Sequence, residues 1–288
     1  MRIMELTKKV KANKALHNDL LKGRTIGLIF QKPSNRTRVS FEVGISQLGG
    51  NCIYLGPEEI NLGVRETTAD VANTLSRYLD GIVARTFKHD DIIELAKNSN
   101  VPVINGLSDL AHPCQALTDI FSIYEHFKKF QGITLAYIGD GNNVCHSLML
   151  ACSKVGINMN IATPPGYEPD FHILDKARGY CEKSNAHISL SNSPQEAARQ
   201  ADAFYADVWV SMGDEAEADK RLKDFEKFQI NSELTNLAKK NHVFMHCLPA
   251  HRGQEVTAEI IDGSHSIVFD QAENRLHTQK AILIFLYS

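Results

Sequence analysis

The run Ser34-Asn35-Arg36-Thr37 places three neutral hydrogen-bond donors around one guanidinium. It follows an apolar strand pattern at Thr25–Phe30 and precedes an amphipathic helix pattern. A helix start presents unpaired N–H groups and the positive end of the helix dipole, and arginine adds a planar fork that suits phosphate. The pattern therefore indicates an anion site, and the alternative is an ordinary N-cap with solvated arginines.

Three further polar positions follow strand patterns or open helices. Arg85 ends an apolar run, and His112 and Gln115 lie one turn apart at the start of a long helix. Arg275 falls in the first turn of the last helix, where a cation is unfavourable for the helix itself. The carboxyl ends of parallel strands are where α/β proteins bind ligands. A surface arginine and a helix-capping histidine are the structural alternatives.

The glycine loop at residues 139–143 has two interpretations. Gly139 and Gly141 follow a strand pattern, as in a dinucleotide fingerprint, but Val144 occupies the third glycine position. No acidic residue ends the next predicted strand, which a ribose contact would require. A tight turn that exposes Asn143 to a cleft is therefore favoured, with a nicotinamide-linked oxidoreductase as the alternative.

Two more segments follow predicted strands in the second half. Asp207 with Ser211 and Met212 would suit an amine ligand, unless the loop only packs the single tryptophan. Cys247 and Leu248 precede a proline, which stiffens the turn, so Cys247 is a candidate ligand-facing group rather than an inert thiol. Histidines near Cys247 suggest a possible metal site. However, side chains alternate between the two faces of a strand, which separates some of these ligands, so we expect no metal.

The elements that must position these residues alternate between short β-rich runs and amphipathic helices. This alternation predicts a parallel α/β architecture with two sheets and a boundary near residues 127–132. Strands are expected at 25–30, 52–55, 81–85, 101–104, 135–138, 158–163, 187–190, 203–205, 243–245 and 266–269. One helix is expected to end before Gly49, and a polar loop is expected before Gly63. The other main helices are expected to span 66–78, 90–98, 113–127, 144–155 and 273–287.

Composition excludes several classes of protein. The chain has 288 residues, 43% of them hydrophobic, and a formal charge of −3, so bulk charge gives no reason to expect nucleic-acid binding. The longest apolar run, from Ala281 to Tyr287, is too short to span a membrane, and the first residues lack the apolar core of a signal peptide. Six cysteines without a CxxC pair suggest reduced thiols in the cytoplasm.

Seven ordered motifs give the chain a close resemblance to the aspartate/ornithine carbamoyltransferase family. They are KPSNRTRVSFE, ARTF, NGLSDLAHPCQ, GDGNNV, DVWVSMG, HCLPAHRG and AENRLHTQKA. The resemblance implies two α/β domains, each with a central parallel sheet flanked by helices, and a C-terminal helix that returns to the first domain. It implies a carbamoyl-phosphate-binding domain of residues 1–127 with the C-terminal helix 273–288, and an ornithine-binding domain of residues 128–272. It also implies a homotrimer with active sites at subunit interfaces.

The resemblance also implies roles for individual residues. Asp207, Cys247, Arg85 and His112 would be catalytic. Asn35 and Asn61 stand where the family commonly has threonine and glutamine, which predicts altered affinity rather than a lost site. Carbamoyl phosphate would be held by Ser34, Asn35, Arg36, Thr37, Arg85, His112, Gln115, Cys247, Leu248 and Arg275, and also by Asn61 from a neighbouring subunit. The amino-acid substrate would be held by Asn143, Asp207, Ser211 and Met212.

The implied reaction transfers the carbamoyl group of carbamoyl phosphate to the side-chain amine of L-ornithine. Its products are L-citrulline and phosphate, it needs no metal or organic cofactor, and it belongs to arginine metabolism. Asp207 with the Ser-Met-Gly loop and Cys247 favours a cationic diamino acid over aspartate, putrescine or acetylornithine. A binding protein that has lost turnover is a further alternative, against which the retained arginine, histidine and cysteine positions argue.

Overall fold

The computed structural model describes residues 2–211, 213 and 215–288. The chain forms two compact units, one of residues 1–121 with 272–288 and the other of residues 122–271. The division falls inside a helix that the sequence places at 113–127, a few residues before the expected boundary. Each unit has its own parallel sheet.

The first unit is built on a four-stranded parallel sheet with strand order β2-β1-β3-β4. Its strands are β1 (Thr25–Phe30), β2 (Asn51–Leu55), β3 (Gly81–Arg85) and β4 (Val103–Leu107). Its helices are α1 (Arg2–Ala12), α2 (Asn35–Gln47), α3 (Pro57–Ile60), α4 (Thr68–Leu75), α5 (His89–Asn98), the first part of α6 (Pro113–Phe127) and most of the last helix, Val268–Tyr287.

Both faces of this sheet are covered, which explains its near-continuous apolar strands. Leu28 and Phe30 of β1 pack in one buried cluster, with Phe41 of α2. Ile29 points to the other face and packs with Val71 of α4. Since the strands run parallel in register, their carboxyl ends and the polar residues that follow them lie at one edge of the sheet.

The last helix returns to the first unit and is held there by apolar and polar contacts. Leu283 belongs to the same buried cluster as Phe41. Lys280 is fully buried, and its Nζ donates to the carbonyl of Lys14 at 2.9 Å and to Gln47 Oε1 at 3.0 Å. The hydroxyl of Tyr287 donates to the carbonyl of Asp80 at 2.7 Å. The C-terminal part of this helix, residues 280–287, is thereby held at both of its ends.

The second unit is built on a five-stranded parallel sheet with strand order β7-β6-β5-β8-β9. Its strands are β5 (Thr134–Ile138), β6 (Asn158–Ala162), β7 (Ile188–Ser191), β8 (Ala203–Ala206) and β9 (Val243–His246). Its helices are α7 (Asn143–Val155), α8 (Phe171–Ser184), α9 (Pro194–Ala198), α10 (Ala218–Phe225), α11 (Ser232–Thr235) and α12 (Ala258–Ile261), and the last helix, α13 (Val268–Tyr287), begins here. Short 3-10 helices span Glu215–Glu217 and Glu226–Phe228.

The fold class predicted from the sequence is confirmed, including the return of the last helix to the first unit. The predicted bounds of β1, β3 and α6 coincide with the observed ones. The strand expected at 266–269 is wrong, because Ser266 makes only an isolated bridge with Phe244 and α13 begins at Val268. The loop expected before Gly63 contains α3, and the helix expected at 66–78 is limited to α4.

Within the described residues, no helix is both long and apolar enough to cross a membrane.

Candidate active-site clusters

The start of α2 has the geometry of an anion site. Ser34 is the N-cap residue, and its Oγ accepts a hydrogen bond from the Thr37 backbone N–H at 3.3 Å. Thr37 is buried, Ser34 and Arg36 are half-buried, and Asn35 is exposed. The first turn of α2 carries no acidic side chain. The helix dipole there is therefore available to an external anion.

Three arginines that are distant along the chain act on one buried histidine. His112 precedes α6, and its side chain is buried. Burial lowers the pKa of His112 well below its usual value, and the guanidiniums of Arg275, Arg85 and Arg36 lower it further. His112 is therefore a neutral imidazole at pH 7 beside concentrated positive charge. We refer to Arg36, Arg85, Arg275 and His112 as the arginine cluster.

Buried hydrogen bonds orient the guanidinium of Arg275. Its Nη1 donates to Gln115 Oε1 at 2.5 Å and its Nη2 donates to Thr37 Oγ1 at 2.9 Å. The amide of Gln115 in turn donates to Asp119 Oδ1 at 2.7 Å. Asp119 is fully buried in α6, and sequence reasoning missed it because nothing distinguishes its position from other helical carboxylates. These contacts hold a charged fork that is suited to phosphate.

Asp207 is the centre of a second polar cluster, in the second unit. It is buried just after β8, and its Oδ1 accepts from the Cys247 thiol at 2.9 Å and from the Val208 backbone N–H at 2.8 Å. Its Oδ2 accepts from Asn142 Nδ2 at 2.8 Å. Since a carboxylate offers about four acceptor positions, one remains on Oδ2 for a ligand. We refer to Asp207, Asn142 and Cys247 as the Asp207 cluster.

Asn142, the neighbour of the candidate Asn143, contacts Asp207. Asn142 is the N-cap of α7, and its Oδ1 accepts from the backbone N–H groups of Val144 and Cys145 while its Nδ2 reaches Asp207. Asn143 is the half-buried first residue of the helix. An N-cap signal was available in the sequence, but the contact with Asp207 spans 65 residues and carries no local signal.

The glycine loop before α7 is packed against the protein's own chain. A Cβ at Gly141 would lie 2.3 Å from the backbone nitrogen of Pro169, and the Gly141 N–H donates to the carbonyl of Tyr167 at 2.9 Å. In a dinucleotide fingerprint the second glycine lets the backbone approach a pyrophosphate. Here residues 167–169 occupy that approach, so the nicotinamide alternative loses its structural basis.

The remaining candidates take separate places. Ser211 and Leu248 are half-buried, and Met212 lies outside the described residues. Asn61 is exposed at the end of α3, with a left-handed backbone at φ 40°. The described residues contain no group of three or more metal-ligating side chains that would hold an ion. The structure therefore brings together Thr37, Gln115 and the arginine cluster in one unit, and Asp207 and Cys247 in the other.

The fold and these clusters define an α/β protein that presents concentrated cations in one unit and a buried carboxylate in the other. Two family models match the chain. The aspartate/ornithine carbamoyltransferase carbamoyl-P binding domain matches residues 1–125, and the Asp/Orn binding domain matches residues 131–286.

Known proteins agree with the family models. The chain is 53% identical to an ornithine carbamoyltransferase of Bacillus cereus strain AH187, over 99% of this chain and 89% of that protein. It is 55% identical to one of Thermococcus kodakarensis, over 92% and 84%. The solved ornithine carbamoyltransferase from Pyrococcus furiosus is 50% identical and covers 99% of this chain and 92% of its own, with a TM-score of 0.96. The chain belongs to the aspartate/ornithine carbamoyltransferase family, as the motifs predicted.

The neutral state of His112 gives a direct test of the arginine cluster. We expect its ring to titrate well below the usual histidine range in histidine ring NMR spectra, because burial and three guanidiniums disfavour a further positive charge and lower its pKa. Inorganic phosphate should raise the pKa of His112, since an anion offsets those guanidiniums. The variant His112→Gln assigns the resonance by its loss. An ordinary titration midpoint, or no response to phosphate, would contradict the proposed anion site.

Proposed function

We propose that this enzyme transfers the carbamoyl group of carbamoyl phosphate to the side-chain amine of L-ornithine, giving L-citrulline and phosphate. The observation that carries the proposal is the convergence of Arg36, Arg85 and Arg275 on a neutral, buried His112. Family membership and the ornithine carbamoyltransferases named above support it. No metal or organic cofactor is needed for this reaction.

The arginine cluster would bind carbamoyl phosphate at both its phosphate group and its carbonyl oxygen. The guanidiniums and the start of α2 would offset the charge of the phosphate. Thr37, Arg85 and neutral His112 would donate to the carbonyl oxygen as it becomes an oxyanion. One such donor is typically worth ~3 kcal/mol in the transition state. A neutral imidazole keeps one N–H to donate and does not add to the crowded positive charge.

The Asp207 cluster would bind ornithine. The remaining acceptor position on Asp207 Oδ2 suits an ammonium group, and the half-buried Ser211 would add a hydroxyl. Asn143 and Met212 complete the set that the family resemblance assigns to the amino acid. Cys247 already donates its thiol proton to Asp207, so in this arrangement it orients the carboxylate and takes no proton.

The chemical step needs a neutral amine as the nucleophile. With a lysine-like pKa of ~10.4, roughly one amine in 2500 is neutral at pH 7. The amine nitrogen attacks the carbonyl carbon, the bond from that carbon to the phosphate oxygen breaks, and the amine loses one proton. Two acceptors serve for that proton, the Asp207 carboxylate and the departing phosphate.

We also propose a homotrimer that shares active sites between subunits, with the exposed loop of Asn61 reaching a neighbour. Exposed apolar side chains on the first unit support contact between copies of the chain, since Val39 of α2 and Ile53 of the edge strand β2 are each 49% exposed. A cytoplasmic location is proposed because none of the six cysteines forms a disulfide, as expected in a reducing compartment.

Turnover with four amines tests the function. Carbamoyl phosphate should be consumed with L-ornithine, with citrulline formed in equal amount. Aspartate, putrescine and acetylornithine should react at least ~100-fold less efficiently, because a site built to pair a specific charged group rejects ligands that lack it. Preference for any of those three amines would overturn the substrate assignment, and an absence of turnover would favour a binding protein.

The variant Asp207→Asn separates the two substrates. It keeps the side-chain volume but loses the negative charge, so kcat/KM for ornithine should fall by at least ~100-fold, or ~2.7 kcal/mol. Phosphate should still raise the pKa of His112, because the arginine cluster is unchanged. Asp262→Asn is the matched control, since Asp262 is exposed and pairs with Arg252 on the surface. Unchanged ornithine kinetics in Asp207→Asn would contradict the assignment.

Light scattering tests the assembly. The measured mass should be three times the 32.1 kDa of one chain. The double variant Val39→Asp, Ile53→Asp should lower that mass, because charge in an apolar contact is unfavourable. Phe171→Asp, on an exposed residue of the second unit, should leave it unchanged. A wild-type mass of one chain would exclude the trimer.

A further inference from the structure

His246, the last residue of β9, is buried and uses both ring nitrogens in hydrogen bonds. Its Nδ1 accepts from the backbone N–H of Leu248 at 2.8 Å, and its Nε2 lies 3.2 Å from Glu255 Oε1. Because Nδ1 accepts a hydrogen bond, it carries no proton. The ring is therefore the neutral Nε2–H tautomer, which donates to Glu255.

Glu255 is a fully buried carboxylate that the proposed reaction does not use. Its Oε1 also accepts from the His251 backbone N–H at 2.5 Å, and its carbonyl accepts from the Ile230 N–H at 2.9 Å. A carboxylate is costly to bury, and here its hydrogen bonds fix one histidine tautomer. Glu255 thus determines which ring nitrogen of His246 faces Leu248.

The residue at the other end of this chain of hydrogen bonds has an unusual backbone. Leu248 has φ 56°, in the left-handed region that residues other than glycine rarely adopt. Its N–H is satisfied by His246 within the same turn. The adjacent Cys247 is held separately, through its thiol on Asp207. One buried acceptor, His246 Nδ1, therefore holds the backbone N–H of Leu248, and a second, Asp207 Oδ1, holds the side chain of Cys247.

The geometry points to His246 and Glu255 as positioning residues for the carbamoyl end of the reaction. They act through Leu248, whose backbone they hold in the left-handed conformation, and touch no substrate themselves. The inference rests on the proposed function and on the family resemblance, which assigns Cys247 and Leu248 to carbamoyl phosphate. It adds two residues to that site, and it explains why a carboxylate is buried behind the turn.

Two substitutions at His246 separate the two hydrogen bonds. In His246→Asn the amide oxygen takes the place of Nδ1 and still accepts from Leu248. In His246→Gln the amide lies nearer the place of Nε2, so the Glu255 contact is kept and the acceptor for Leu248 is lost. His242→Gln is the matched control, because His242 lies just before the other end of β9 and stacks on His265.

The KM for carbamoyl phosphate is the informative readout. We expect it to rise at least tenfold in His246→Gln, equivalent to ~1.4 kcal/mol, and to change less than about threefold in His246→Asn and His242→Gln. The KM for ornithine should change less than about twofold in all three. A purely structural defect would lower the active fraction, and hence kcat, without moving either KM. Equal KM changes in His246→Asn and His246→Gln would overturn the inference.

Nitrogen-15 NMR of the wild-type histidine rings tests the hydrogen bonds without any turnover. The inference requires that His246 be protonated at Nε2 and unprotonated at Nδ1. A proton on Nδ1, or on both nitrogens, at neutral pH would overturn it even where the His246 variants fail to fold. If the tautomer is found as stated but the wild type forms no citrulline, the proposed function fails and the hydrogen-bond assignment stands.

Discussion

The positive charge that Arg36, Arg85 and Arg275 place around the buried His112 is the constraint on which the first unit depends. Concentrated positive charge beside the buried His112 is unfavourable unless something offsets it. The protein meets part of this cost with neutral partners, since Arg275 donates to Thr37 and Gln115. In the proposed function, the same charge would provide affinity for a phosphorylated substrate.

The return of α13 makes this arrangement possible. Arg275 lies 160 residues from Gln115 and 238 residues from Thr37, yet it contacts both. Such contacts require a rigid helix, and α13 is fixed by the buried ammonium of Lys280 as well as by apolar packing. Burial of Lys280 is costly and is compensated by two good acceptors. Because Lys280 helps to fix α13, it also helps to place the guanidinium of Arg275.

Local patterns predicted the elements better than the contacts between them. Strands β1 and β3 were found because a short apolar run ended by polar residues is a strong signal. The run at 266–269 carried the same signal and was wrong, because Val268 and Phe269 open a helix whose later turns are polar and buried. Helix α8 was missed although Asp170 caps it, since its surface is mostly polar.

Some residues of the candidate clusters could be predicted from local patterns, and others could not. Residues at strand ends and helix starts, such as Arg85, Thr37 and Asp207, stand out because parallel sheets gather these positions. Their supports do not, because Asp119, Asn142 and Glu255 acquire their roles only through contacts distant in sequence or through burial. Family resemblance adds the ligands but not these supports. A sequence therefore indicates which groups meet a substrate more readily than which groups hold them in place.

The two units treat charge in opposite ways, and each arrangement suits the ligand proposed for it. In the proposed function, the carbamoyl phosphate dianion would meet several cations with a neutral donor among them in the arginine cluster. An amino-acid cation calls for one carboxylate with spare acceptor capacity, and Asp207 has three of about four positions filled by its own protein. Those three donors fix the carboxylate so that its last position has a single direction. In each unit the charged groups are held by hydrogen bonds from residues of that same unit.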